Sequence, residues 1–382
     1  MALPEFEEML TTLVGSPSVS CTCPDIDQSN LKVIEHLANW LEGMGFKTDL
    51  VPMPGQPGKA NLIAQRGNGE GGLVLAGHTD TVPFDEALWN SDPFIVSERD
   101  DRLYGLGTCD MKGFFPVALT AAQRYSQTDL NKPLIIVATS DEESSMAGGR
   151  YLMESGRPRA DVAIIGEPTG LMPVYAHKGI MMMAINLQGS SGHSSNPDLG
   201  RNALDAMHAV MGELIRFREE LAARHRNPGF EVVIPTLNLG CLRAGDNPNR
   251  ICDHAELQID LRLLPGMDGD QIFADLQKRI EAAAEPFQVP ATLTALYPPV
   301  PPFETDREGD LVQTLSRLSG NAAGTVAFGT EAHFLQCLGM ETVVFGPGSI
   351  NQAHQPNEYL ARSQINPAVD VIDQVIRRYC LA

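Results

Sequence analysis

Gly77-His78-Thr79-Asp80-Thr81-Val82-Pro83 directly follows the apolar run Leu73-Val74-Leu75-Ala76 and sets a metal-type histidine two residues from a carboxylate. If a strand continues through them, period-two alternation sends His78 and Asp80 to one side, so one can hold a metal while the other orients it. A His-x-Asp pair alone is weak evidence, since on an arbitrary strand it is more often solvated than catalytic. Three other segments strengthen it. Asp110, in Gly105-Leu106-Gly107-Thr108-Cys109-Asp110-Met111-Lys112-Gly113, precedes the apolar stretch Phe114 to Ala122. Asp141-Glu142-Glu143 follows the run Leu134 to Ser140, and Gly166-Glu167-Pro168-Thr169 follows Val162 to Ile165. Far along the chain, Thr342-Val343-Val344-Phe345 leads into Gly346-Pro347-Gly348-Ser349-Ile350-Asn351-Gln352-Ala353-His354.

Near-continuous apolar runs separated by helical stretches read as buried parallel strands with helices on both faces. Such sheets place their sites beyond the carboxyl ends of the strands. All the clusters then fall on one rim, which gathers His78 and His354 with Asp80, Asp110, Glu142, Glu143 and Glu167. Packing so many carboxylates together raises their pKa values and destabilises the fold unless cations sit among them. Imidazole plus carboxylate, without a cysteine pair, points to zinc, cobalt or manganese rather than a structural cysteine site.

On these four motifs and the distal His354 the chain resembles the M20 family of metallopeptidases over essentially its whole length, and within it the branch that deacetylates N2-acetylornithine in arginine biosynthesis. The resemblance implies that His78, Asp110 and Glu167 bind one metal and Asp110, Glu143 and His354 the other, with Asp110 bridging and two Zn2+ or Co2+ ions per subunit. It implies that Asp80 orients His78 and that Glu142 is the general base. An amide carbonyl is a poor electrophile and water a poor nucleophile at neutral pH. A metal pair about 3.5–4 Å apart corrects both faults, while a free Glu142 can take the water's proton and return it to the departing amine. Sibling amidases share this chemistry: succinyl-diaminopimelate desuccinylase, acetylcitrulline deacetylase and broad aminoacylases are the alternatives, because only pocket contacts differ. A non-catalytic protein on a decayed scaffold is disfavoured by the intact Glu142 and ligand set, and a phosphoesterase by the lack of an accompanying Arg or Lys cluster.

At 382 residues the chain exceeds what one hydrophobic core usually serves, so two domains are expected, and 43% hydrophobic content supports full folding. The expected fold class is α/β: a mixed, mainly parallel sheet with an inserted ferredoxin-like α+β domain, the resemblance implying a sheet of the zinc-exopeptidase kind and a dimerisation role for the insertion. The catalytic part spans 1–176 and 298–382, and the insertion spans 177–297. The insertion reads strand (Ile180 to Leu187), helix (Ala203 to Leu221), strand (Val232 to Leu239), strand (Glu256 to Leu264), helix (Asp270 to Ala284) and strand (Thr292 to Tyr297), a split βαβ order. Leu204, Met207, Met211, Leu214, Ile215 and Leu221 recur at helical spacing and read as core packing. Pro298-Pro299-Val300-Pro301-Pro302 reads as a linker. Open sheet edges in the insertion, with the family resemblance, imply a homodimer paired through it.

Within the insertion, Gly192-His193-Ser194-Ser195 offers an exposed imidazole. The resemblance implies that His193 stabilises the tetrahedral oxyanion in the partner subunit's site. Asn249-Arg250 lies in the family's carboxylate-binding motif, where a planar guanidinium can bind bidentately, and Asn238 can assist by hydrogen bonding. Glu331, in Gly329-Thr330-Glu331-Ala332, is the candidate for reading the distal ammonium of acetylornithine, with a helix-start acid as the plain alternative. His36, His208, His225 and His254 read as structural or solvated, while His177 and His333 flank expected active-site or hinge segments and are not read as ligands. Cys109, beside Asp110, is either an inert small hydrophobe or a thiol that makes the site sensitive to oxidation.

A net charge of −20 excludes a general binder of nucleic acid or anionic membrane. No apolar run reaches the roughly 18 residues of a membrane span, and the start lacks a basic segment followed by an apolar core. A soluble, cytoplasmic protein is therefore expected, and the resemblance implies a small acetylated amino acid as its substrate. The cysteines number seven, scattered without a zinc-type pair, and reduced thiols are expected.

Overall fold

The computed structural model describes residues 3–381. It divides into two compact units. The first runs to Ala176 and resumes over Glu304–Gly324 and from Thr330 onward, while the second comprises His177–Phe303 and Thr325–Gly329.

In the first unit the apolar runs become parallel strands in the order Leu134–Thr139, Leu73–His78, Val162–Ile165 and Glu341–Val344. Antiparallel neighbours flank them, among them Ala60–Arg66 beside the Leu134 strand, so the sheet is mixed with a parallel centre. The runs are apolar throughout because both faces are covered. Leu73, Leu75, Ile136, Ile164 and Val343 share one core with Phe115 and Val117 of helix Phe114–Gln123 and with Ile372 and Val375 of helix Ile365–Ile376. The alternate residues Val74, Ala76, Val137, Ala163 and Ile165 point the other way and are buried too. Register pairs His78 with Thr139, Ala76 with Ile165, and Ile165 with Val344, so the four runs end at nearly one level and their following loops leave from one edge.

The second unit is a four-stranded antiparallel sheet in the order Thr236–Ala244, His254–Leu263, Gly179–Gln188, Ala291–Ala295, with helices Ala203–Arg224 and Gly269–Ala284. This is the ferredoxin-like order. Leu257, Ile259, Leu261 and Leu263 are buried while Gln258, Asp260 and Arg262 alternate with them at partial exposure. Asn202 and Asp268 start the helices as side-chain N-caps.

Several boundaries differ from expectation, each for a local reason. The second strand runs over Thr236–Ala244 rather than 232–239 because Pro235 has no N–H to donate and pairing begins after it, with a register shift at Gly240. The carbonyls of Val232 and Ile234 serve instead as acceptors for Lys178 Nζ, at 2.8 and 2.7 Å. The unit extends past residue 297 to Phe303 because Ile180 and Val300 exchange both backbone hydrogen bonds, which makes the Pro-rich stretch part of the fold rather than a free linker. On helix Ala203–Arg224 the buried stripe is Ala203, Ala206, Met207, Val210, Leu214, Phe217 and Leu221, while Leu204 and Ile215 lie a step round the helix and are exposed.

The close approach of the Val162 strand to the Phe114 helix depends on Gly166. A Cβ there would sit within the ring of Phe114, below any real contact distance. Gly166→Ala is expected to lower unfolding stability by about 1–3 kcal/mol through overpacking. Chemical denaturation measures this, and an unchanged midpoint would show that the ring can move aside.

Candidate metal centre

His78 ends its strand, one residue before Thr79 N–H donates to Thr139 O, so the strand stops short of Asp80. Its Nδ1 lies 3.0 Å from the Asp80 carbonyl oxygen. A carbonyl can only accept, so Nδ1 carries a proton, which leaves Nε2 as the nitrogen that could ligate a metal. That Nε2 faces Asp110 Oδ1 at 3.2 Å and Glu167 Oε2 at 3.9 Å.

The Asp80 carboxylate is 3.6 Å from His78 Nδ1. Its closer ties are to the acid pair, because its oxygens accept from the backbone N–H groups of Glu142 at 3.2 Å and Glu143 at 3.0 Å. The turn carrying that pair is held from several sides. Asp141 sits at φ +56°, a left-handed conformation uncommon for a non-glycine residue, and its carboxylate accepts from Lys59 Nζ at 2.6 Å and Ser20 Oγ at 2.9 Å. Asn61 closes the loop by accepting from Ser140 N and donating to Gly148 O, both at 3.0 Å. Lys59 and Asn61 carry no local motif and were missed in the sequence.

Asp110 lies between two imidazoles, with Oδ1 toward His78 and Oδ2 3.4 Å from His354 Nε2. His354 Nε2 also meets Glu143 Oε2 at 3.0 Å. One ligand atom from each of His78, Asp110 and Glu143 lies within 4.8 Å of the others. Glu142 and Glu167 are buried beside them. The structure therefore brings together, within one unit, every metal-type residue expected from the sequence.

The electrostatics describe a site that wants positive charge. Burial, together with His78 opposing and the neighbouring glutamates reinforcing it, holds the Glu142 and Glu167 carboxyls well above the usual range, and burial also raises Glu143. Burial disfavours the charged form of His78, yet the bond to Asp110 and the fields of Glu167, Asp80 and Glu142 override it and hold the imidazole high. His354 is pushed up to about 10 by hydrogen bonds to Asp110 and Glu143. Asp110 is held well below the carboxylate range, its burial outweighed by the two imidazoles. Imidazole nitrogens and clustered carboxylate oxygens suit divalent cations of borderline hardness, and this donor set fits them.

Glu331 stands at the start of helix Ala332–Cys337, the plainer of its two expected readings. It is buried in the first unit, where Oε2 accepts from Thr139 Oγ1 at 2.6 Å and Oε1 from Gly149 N at 2.8 Å. With both oxygens engaged, it ties the end of the Leu134 strand to helix Ala147–Ser155 rather than presenting a carboxylate to solvent. Burial raises it to about 7. Cys109 is buried, and burial, with Glu358 and Asp110 nearby, holds its thiol well above the usual range. Such a thiol forms less of the reactive thiolate, in line with the inert small hydrophobe of the two readings.

The remaining expected residues lie in the second unit. His193 is exposed, its Nδ1 2.8 Å from Ser195 Oγ, and it forms an isolated bridge with Arg250. Asn249 O accepts from Ser194 N at 3.1 Å. Arg250 pairs with Asp246 at 2.6 Å and lines a cleft of about 570 Å³ with Ser194, Arg201, Asn202, Pro248 and Phe287. Asn238 is exposed on the edge strand, opposite Asp260.

A family model for peptidase family M20/M25/M40 matches residues 74–378. The chain is 46% identical over 380 residues to the acetylornithine deacetylase of Photorhabdus laumondii, covering 100% of this chain and 98% of that one. It is 47% identical over 378 residues to the acetylornithine deacetylase of Klebsiella pneumoniae, covering 99% and 98%. Among solved structures it resembles a dinuclear metal-binding M20 peptidase of Bacillus subtilis, with a TM-score of 0.69, 15% identity and coverage of 98% and 97%; this likeness concerns the fold.

Ions that bind the folded site stabilise it by mass action, about 2.7 kcal/mol at a free concentration one hundred times Kd. Stripping the protein with a chelator is expected to lower Tm and restoring Zn2+ or Co2+ to raise it, with His354→Ala showing a smaller rise. Calorimetry tests this, and a Tm indifferent to both treatments would count against a metal centre.

Proposed function

The chain belongs to peptidase family M20/M25/M40, and from that membership we propose that it is a metal-dependent amide hydrolase that removes the acetyl group of N2-acetyl-L-ornithine, giving L-ornithine and acetate in arginine biosynthesis. The observation that carries the substrate is full-length similarity, at 46–47% identity, to proteins named acetylornithine deacetylase.

In this reading His78, Asp110 and Glu167 hold one divalent cation and Asp110, Glu143 and His354 the other, with zinc or cobalt as the metal. Bound there, such a pair supplies Lewis acidity toward the amide carbonyl and makes water a usable nucleophile at neutral pH. Glu142 accepts the proton of the attacking water and delivers it to the leaving amine nitrogen. Its burial beside the metal-type residues supports that role. Asp80 fixes both His78 and the backbone of Glu142, so that base and ligand move as one body. We assign His193 as donor to the developing oxyanion, and Arg250, with Asn249 and Asn238, as carboxylate binders, on their match to the family's motifs.

A homodimer formed through the insertion belongs to the same reading. It is supported by the edge strand Thr236–Ala244 with exposed Leu242, and by Leu204 and Ile215 exposed on helix Ala203–Arg224. No helix among the described residues is long and apolar enough to cross a membrane, and we place the protein in the cytoplasm, where its substrate would be made.

The decisive experiment compares kcat/KM of the cobalt-loaded protein for N-acetylornithine, N-acetylcitrulline, N-acetylmethionine and succinyl-diaminopimelate. A clear lead for N-acetylornithine is expected, and an even spread or another leader would retain the amide hydrolase and overturn the substrate. Glu142→Ala should reduce kcat by about 10²–10⁴-fold, the usual contribution of a positioned base, while leaving metal content intact. Near-normal turnover in that variant would remove Glu142 from the mechanism.

A further inference from the structure

Building on the metallohydrolase reading above, we infer that Glu358 is a positioning residue for the metal centre, fixing the loop that presents Asp110. Glu358 is 1% exposed and lies four residues beyond His354. Its Oε1 accepts from Cys109 N at 2.7 Å and Asp110 N at 2.9 Å, and its Oε2 accepts from Gly107 N at 3.0 Å. Its own carbonyl accepts from Gly105 N at 3.0 Å. One residue thus takes up four backbone N–H groups of a six-residue loop, Gly105 to Asp110.

This grip is specific to the site. The loop belongs to no helix or strand, so its amides need partners from elsewhere, and a buried carboxylate is the acceptor best able to serve several donors. Asp110 is the acid lying between His78 and His354, so a shift in its backbone moves it against both imidazoles together. The segment 354–358 supplies one of those imidazoles at its start and the clamp at its end. His354 and Asp110 therefore share a mechanical connection independent of any ion between them. Without Glu358 the amides of Gly107, Cys109 and Asp110 would be buried beside each other without an acceptor, and the loop would turn to find others.

The test titrates the chelator-stripped full chain with Co2+, following the visible absorption of bound cobalt, and monitors folding by circular dichroism. Glu358→Gln keeps the shape but places an amide NH2 among backbone donors. It is expected to weaken Co2+ binding by about 10- to 100-fold, the usual effect of losing an orienting partner, and to change the absorption bands. Glu341→Gln is the control for a purely structural carboxylate. Glu341 accepts from Leu311 N at 2.9 Å at the opposite end of its strand from the site, and its loss should lower Tm but leave the cobalt spectrum unchanged. Glu358→Gln with wild-type affinity and spectrum overturns the inference. Should that variant not fold, Glu358→Asp keeps the charge but withdraws it by one methylene. Weakened cobalt binding in the folded Asp variant supports the inference, and wild-type binding overturns it. Wild-type protein that takes up no Co2+ would instead overturn the metallohydrolase reading itself, an outcome separate from failure of the Glu358 variants alone.

Discussion

Burying many carboxylates in one place is the constraint around which the first unit is organised. Two means help to meet it. Asp80, Glu331 and Glu358 accept from backbone N–H groups, those of Glu142 and Glu143, Gly149, and Gly107, Cys109 and Asp110 respectively. Each spends its charge on fixing a piece of chain. Asp110 and Glu143 draw on the imidazoles of His78 and His354. Fixed peptide dipoles thus satisfy the supporting acids, and exchangeable positive charge satisfies the working ones.

The parallel sheet makes this density attainable. Its central strands end at one level, so loops distant in sequence converge without long excursions. The turn carrying Glu142 and Glu143 shows how tightly those loops are then held. Lys59 and Ser20 grip Asp141, Asn61 closes the loop, and Asp80 takes both glutamate amides. A left-handed Asp141 persists there because its surroundings over-determine it.

What could be read from the sequence follows from range. His78, Asp110, Glu142, Glu143, Glu167 and His354 were legible because each follows or precedes an apolar run, and the parallel-sheet rule converts that adjacency into a common edge. The insertion was legible because its helices and strands have clean periods and two side-chain N-caps. Glu358, Asn61 and Lys59 were not legible, since their partners lie tens to hundreds of residues away and no local spacing marks a buried polar residue as a clamp. For Glu331 the short motif left a pocket acid and a helix-start acid open, and the structure places it at the start of helix Ala332–Cys337 with Thr139 and Gly149 engaging both its oxygens. The second strand of the insertion was misplaced by four residues at its start because three apolar residues before Pro235 resemble a strand, and only the register with His254–Leu263 shows where pairing begins.

The discontinuity of the first unit bears on how the protein comes into being. His78 and the acids at 110, 142, 143 and 167 all precede the insertion, while His354 and Glu358 follow it. On a ribosome the chain therefore displays a carboxylate-rich half-site, served by a single one of its two site imidazoles, throughout the synthesis of the whole insertion. The insertion has its own core and its own capped helices, and it can fold during that interval while the half-site waits. The Glu341–Val344 strand also lies beyond the insertion, so the central sheet and the metal-type cluster both need residues from after it to be complete.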